Sequence, residues 1–129
     1  MATKTMTGIT EIGRVVVPVS DQERALDFYL GTLGFEKRAD VPFGNGDRWI
    51  EVAPPGRETA IAIVPPPEGM PVGIHTNIIL STEDAEATHE YLREHGVDED
   101  EEVQRMGDPV PPMFSFRDPD GNTLMVVEQ

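Results

Sequence analysis

The spacing of apolar positions changes repeatedly along the 129 residues, and each change marks an element. Residues 12–19 form a β-branched run that predicts a strand. Ser20, with Glu23 three residues later, predicts a helix start of the capping-box kind. Ala25, Leu26, Phe28, Tyr29 and Leu33 then make an apolar face at helical spacing, which Gly34 ends. A short segment over 35–41, a Gly-Asn-Gly turn at 44–46 and a strand over 48–52 follow. Pro54-Pro55-Gly56 predicts a turn, and 59–64 a further strand that Pro65-Pro66-Pro67 stops.

Beyond the Pro/Gly-rich stretch 65–73 the same order returns. Residues 74–80 predict a strand, and Ser81 or Thr82 caps a helix that runs to His95 and ends at Gly96. A short strand falls within 97–106 and another over 113–117. Asp118-Pro119-Asp120-Gly121 then turns the chain into a last strand, 123–127. Ala25, Tyr29, Gly34 and Phe35 recur as Ala87, Tyr91, Gly96 and Val97, each 62 residues later. The pattern predicts an α+β fold of two tandem βαβββ modules, about 9–64 and about 74–128, in one domain spanning 1–129. The proline stretch joins them.

Charge narrows the partners. There are 24 acidic residues against 10 basic ones, for a formal net charge of −14. Such a chain repels phosphate backbones and anionic lipid, so no nucleic-acid or membrane partner is expected. The acidity fits either a high-salt habitat or plain solubility. No apolar run approaches the roughly 20 residues that span a bilayer. Residues 1–9 lack the apolar stretch of a secretory signal, so the expected compartment is the cytoplasm. Cysteine is absent, which excludes disulfides, zinc–thiolate sites, iron–sulfur clusters and cysteine nucleophiles. The acidic run 98–102 is expected to be a solvated strand edge or loop, and His89 and His95 solvent-facing or half-buried helix residues.

The stretch Arg14-Val-Val-Val-Pro-Val-Ser-Asp-Gln-Glu-Arg-Ala-Leu-Asp-Phe-Tyr29, followed by Leu33-Gly34-Phe35, closely resembles the opening module of vicinal oxygen chelate proteins. That superfamily includes glyoxalase I, extradiol dioxygenases, fosfomycin-resistance enzymes and bleomycin-resistance proteins. Phe116-Arg117-Asp118-Pro119-Asp120-Gly121-Asn122, with Leu124, resembles its hairpin before the last strand. The resemblance implies a cup-shaped, partly open mixed sheet with helices on its outer face, a small-molecule pocket on the concave side, and pairing into a homodimer.

Metal-using members of that superfamily place His, Glu or Gln ligands on the first and last strand of each module. Here the resemblance puts Arg14, Ala62, Asn77 and Met125 at those four positions. Arginine has no lone pair to give, alanine no donor, and asparagine oxygen and thioether sulfur suit zinc, iron or nickel poorly. No metal and no cofactor are therefore expected. His75 shares a strand face with Asn77 and is either a ligand after a two-place shift or a surface histidine.

Strand alternation turns Ile61, Ile63, Leu124 and Val126 toward the helices. The concave side then receives Arg14, Val16, Trp49, Glu51, Ala60, Ala62, Val64, Asn77, Ile79, Thr123, Met125 and Val127. Met113, after prolines at 109, 111 and 112, forms either a lip over the cavity or a plain connector. Trp49 is either a pocket wall or a core filler, and Glu51 a general base or the ion-pair partner of Arg14. Arg14 is either the site's positive centre, gripping a carboxylate or enolate through paired donors, or a structural residue tied to Glu51 or Glu128.

The expected function is a metal-free small-molecule-binding protein of the glyoxalase/bleomycin-resistance type. Its ligand, anionic or aromatic, contacts Arg14, Trp49, Glu51, Ala62, Asn77, Met113 and Met125. The alternative is an enzyme: a divalent-metal lyase or dioxygenase, or a metal-free isomerase with Glu51 or His75 as base. A third reading is an interaction module without a ligand. Phosphate-binding glycine loops and a Gly-x-Ser-x-Gly elbow are absent from the sequence.

Overall fold

In a computed structural model, residues 6–129 are described. They form two four-stranded mixed sheets, each with a helical connection. The first contains β1 (Arg14–Pro18), β2 (Glu36–Pro42), β3 (Arg48–Ala53) and β4 (Ala60–Val64) in the order β1-β4-β3-β2. The second contains β5 (His75–Thr82), β6 (Asp98–Glu99), β7 (Met113–Arg117) and β8 (Thr123–Glu128) in the order β5-β8-β7-β6. In each sheet the first and last strands pair in parallel and the other pairs are antiparallel. This is the α+β architecture the alternating periods predict.

The helices start later than Ser20 and Ser81 or Thr82. Asp21 caps α1 (Gln22–Leu26) by accepting from the Arg24 amide at 3.1 Å. Asp84 caps α2 (Ala85–Glu94) by accepting from Ala87 at 3.0 Å. Ser20 is engaged elsewhere, since its amide and hydroxyl both donate to Asp120. After Leu26 the helix widens into a π-helical turn, Asp27–Thr32, where the Leu33 amide donates to Phe28 five residues back. The strand expected within 97–106 is only the two residues of β6, with one further bridge from Gln104 to Met113.

Alternation along each strand sends one face of each sheet into a common core. Val17, Ile50, Val52, Ile61 and Ile63 of the first sheet pack in one cluster with Phe114, Phe116, Leu124 and Val126 of the second. Tyr29 and Leu92 fill the space between them from the helices. The opposite faces of the two sheets therefore point away from that core.

Polar bonds also cross between the halves. The buried Tyr29 hydroxyl donates to Asp118 at 2.9 Å, and Tyr91 donates to the Thr32 carbonyl at 2.9 Å. Burial, and then the Asp118 carboxylate, push the Tyr29 phenol far up, so it stays a protonated donor. Tyr29→Phe should cost about 1–2 kcal/mol, because one hydrogen bond to a charged acceptor is lost without opening a cavity. Urea denaturation monitored by circular dichroism checks this.

Candidate functional site

The outer face of the first sheet assembles the residues with chemistry. Arg14 opens β1 and Glu51 lies on β3, with β4 between them. Two strand spacings, roughly 10 Å, separate their backbones. Ala60 lies opposite Arg14, and Ala62 lies opposite both Val16 and Glu51. Methyl side chains there let the two long side chains meet above β4. Arg14 Nε lies 2.8 Å from Glu51 Oε2. Ala60 and Ala62 are 4% and 0% exposed although they belong to the outer face, as expected for a floor.

Glu51 Oε2 also accepts from the Trp49 indole at 2.7 Å. Trp49 packs against Phe43, with ring centroids 5.4 Å apart. Glu51 is thus the acceptor that fixes both neighbours, and the ion-pair reading of this residue holds. Glu128, the other acceptor considered for Arg14, instead receives the Ala85 amide at the start of α2. The Arg14 side chain is 54% exposed, and its two terminal nitrogens take no hydrogen bond among the described residues. Around it the face is apolar and open, with Val16 52%, Val41 51% and Phe43 55% exposed.

Asn77, Met113 and Met125 share the outer face of the second sheet. Met125 lies opposite Ile79 on β5 and Ser115 on β7. Ile79 is 60% exposed, and Met113 and Met125 are half-buried. Asn77 sits in the left-handed region at φ 61°, inside a register shift of β5 between His75 and Ile79. Asparagine tolerates that conformation better than other residues with a Cβ, and strain of this sort gathers at functional sites. His75 is exposed on the same face, opposite Thr123.

Within one chain the two outer faces do not face each other. Four recesses on the described surface are lined by residues other than Arg14, Trp49, Glu51, Ala62, Asn77, Met113 and Met125. The most apolar of these four, about 260 Å³, lies between the halves on the helix side, beside Leu33, Phe35, Leu80, Tyr91, Phe116 and Val126. Among the described residues, no three His, Cys, Asp or Glu side chains gather as a metal would need. Arg14, Ala62, Asn77 and Met125, the residues that the resemblance puts at chelating positions, lack the donor chemistry to hold a divalent transition-metal ion. Phe43 was not anticipated, although an aromatic residue just before the Gly-Asn-Gly turn is a legible signal.

His89 departs from expectation. It is 3% exposed, and its ring meets Phe114 edge-on with centroids 5.0 Å apart. Glu99, within the acidic run taken for a solvated edge, also turns inward, with a side chain only 6% exposed. The spacing of Ala85, His89 and Leu92, the buried residues of α2, is that of one helix face.

Comparison with known proteins agrees with the element order. An uncharacterized protein of Bacillus subtilis (strain 168), YetH, is 35% identical over 127 residues, covering 93% of this chain and 99% of that protein. A solved structure from Sphaerobacter thermophilus DSM 20745, a glyoxalase/bleomycin resistance protein/dioxygenase superfamily member, has a TM-score of 0.87. It is 36% identical and covers 94% of this chain and 98% of its own. TnmS3, an antibiotic binding protein from Streptomyces sp. CB03234, has a TM-score of 0.80 at 38% identity, covering 93% and 96%. No helix of the described residues is long and apolar enough to cross a membrane. The sequence model of one family matches residues 11–126, and with the two βαβββ sheets it places the chain in the Glyoxalase/Bleomycin resistance protein/Dioxygenase superfamily.

Proposed function

We propose that the protein binds a small aromatic or anionic molecule without a metal, on the shelf that Arg14, Glu51 and Trp49 build over the first sheet. One observation carries this reading: Glu51 pins the inner nitrogen of Arg14 and the indole of Trp49, while both outer nitrogens of Arg14 stay available beside apolar surface. A guanidinium held at one edge offers a preset pair of donors to a carboxylate or a polarised carbonyl. Trp49, Phe43 and Val16 offer area for an aromatic body. TnmS3, similar over nearly the whole chain, is an antibiotic binding protein, which favours a ligand of drug-like size.

An open shelf buries too little of such a ligand, so something must cover it. A second copy of the chain suits the surface. In that homodimer the first-sheet face of each copy lies under the second-sheet face of the other, and Arg14, Trp49 and Glu51 meet Asn77, Met113 and Met125 across the interface. The exposed Val16, Val41, Phe43 and Ile79 on these faces are then buried by association.

Ile79→Glu places a charge in the middle of that interface and should convert a dimer to a monomer in light scattering. It should also lose ligand binding while keeping its far-ultraviolet spectrum. A monomeric native protein would remove the composite site. Stoichiometric zinc, nickel or iron in elemental analysis of the purified protein would remove the metal-free reading.

A further inference from the structure

His89 and Glu99 come together at a place the ligand shelf does not use. α2 turns His89 toward β6, and both side chains are almost wholly buried, at 4% and 6% exposure. Neither oxygen of Glu99 has a hydrogen-bond partner among the described residues. His89 Nε2 is 3.5 Å from Glu99 Oε2 but only 2.7 Å from the Asp100 carbonyl. On the other side of the ring, Arg93 lies 3.1 Å from Nδ1.

These distances fix the protons. Arginine only donates, so Nδ1 accepts from Arg93. The ring proton then sits on Nε2, and the Asp100 carbonyl, which only accepts, takes it. His89 is therefore neutral in this arrangement and has no donor left for Glu99. A buried carboxylate with no donor is costly, whereas a protonated carboxyl carries no charge to solvate.

We propose that Glu99 holds a proton in the closed fold, and that with His89 it forms a pH-gated latch on the β6 edge of the second sheet. The charged groups around it are His89 and Arg93 from α2, Asp100 and Glu101 just beyond β6, and Arg117 from β7. Burial is the largest influence on the Glu99 carboxyl and raises it above its ordinary range, outweighing even the lowering that a charged His89 would add to that of Arg93. Arg117 is committed to Asp98 at 3.0 Å and Asp100 at 3.1 Å.

Loss of the proton leaves the Nε2 hydrogen of His89 as the nearest donor, and serving Glu99 draws it from the Asp100 carbonyl. Asp100 is the residue that extends the short pairing of β6 with β7. Its amide donates to the Ser115 carbonyl and its carboxylate accepts from the Ser115 amide, both at 2.9 Å. The latch thus opens the segment 98–104.

The sign follows from linkage. A carboxyl raised above the ordinary 4.5 favours the closed form fully below that value, and the contribution is lost as pH rises through the raised one. Hydrogen exchange of 98–104, read by mass spectrometry from about pH 4 to about pH 8 and divided by the intrinsic rate, tests it. Protection should fall by up to about tenfold per pH unit across the window in which Glu99 loses its proton. Glu99→Gln should keep the same protection throughout. A flat profile in the native protein, or an equal slope in Glu99→Gln, overturns the latch. Carbon-13 titration of the Glu99 carboxyl in the native protein decides the matter if the variant does not fold. A midpoint in the ordinary glutamate range also overturns it.

Discussion

Asn122→Ala should lower the free energy of unfolding by about 4 kcal/mol. Asn122 is 0% exposed and uses both ends of its amide. Its nitrogen donates to the Pro18 carbonyl at 2.8 Å and to Asp118 at 3.0 Å. Its oxygen accepts from the amides of Gly73 at 2.9 Å and Ile74 at 3.0 Å. Alanine would leave two part-buried backbone donors and the buried Pro18 carbonyl without this partner, each costing about 1–3 kcal/mol, with partial relief where water reaches the donors. Three segments meet on this one side chain: the end of β1, the entry to β5 and the hairpin before β8. Gly73 must pass close to that hairpin at φ 74°, and a Cβ there would stand 2.9 Å from the Asp120 carbonyl. The urea midpoint of Asn122→Ala measures the cost. A shift no larger than that of Tyr29→Phe would mean that the hairpin is held by its own turn and not by this residue.

That hairpin shows what a linear reading can and cannot reach. Asp118 through Asn122 stands out as a turn because aspartate, proline and glycine are turn formers, which is local chemistry. Its bonds to Pro18, Ser20, Arg24 and Tyr29 span about a hundred residues of sequence, and no local pattern encodes them. Ser20 illustrates the consequence. It has the right chemistry to cap α1, yet Asp120 recruits it and Asp21 caps instead. The β-branched runs were read to within a residue or two of β1, β3, β4, β7 and β8, because alternation and proline stops act within a strand. β6, expected as a short strand somewhere within 97–106, is only two residues long, since acidic residues pair poorly in strands and the chain leaves the ladder after Asp100.

The site divides the same way. Alternation alone places Arg14, Trp49, Glu51 and Ala62 on one face, and the structure joins the first three through Glu51. Alternation likewise puts Asn77 and Met125 on one face of the second sheet, whereas Met113, expected as a lip or a plain connector, opens β7. Whether the two outer faces meet depends on how the halves pack, and that is set by the shared core of Tyr29, Phe114 and Phe116 rather than by any strand's own period. His89 was misjudged for a different reason. Its polarity suggested solvent, although its spacing with Ala85 and Leu92 already placed it on the buried stripe of α2.

Arg14→Met should weaken binding of naphthoate roughly 10- to 100-fold while leaving naphthylmethanol nearly unchanged. The two probes share an aromatic body and differ in the carboxylate. The prediction separates the two roles open to Arg14. If its outer nitrogens grip the ligand's anion, methionine removes that grip and spares the apolar contact. If Arg14 serves only to hold Glu51, both probes should weaken together, because Trp49 loses the neighbour that orders its acceptor. The fold itself should tolerate the change, since a half-exposed ion pair contributes only about 0–1 kcal/mol. Trp49→Ala provides the matching control. It removes the aromatic wall and should weaken both probes by roughly tenfold or more. Titration calorimetry on the native protein and both variants, with circular dichroism to verify folding, reads all of this. Equal losses for the two probes in Arg14→Met would reduce Arg14 to a structural residue, and unchanged affinities in Trp49→Ala would move the ligand off this face altogether.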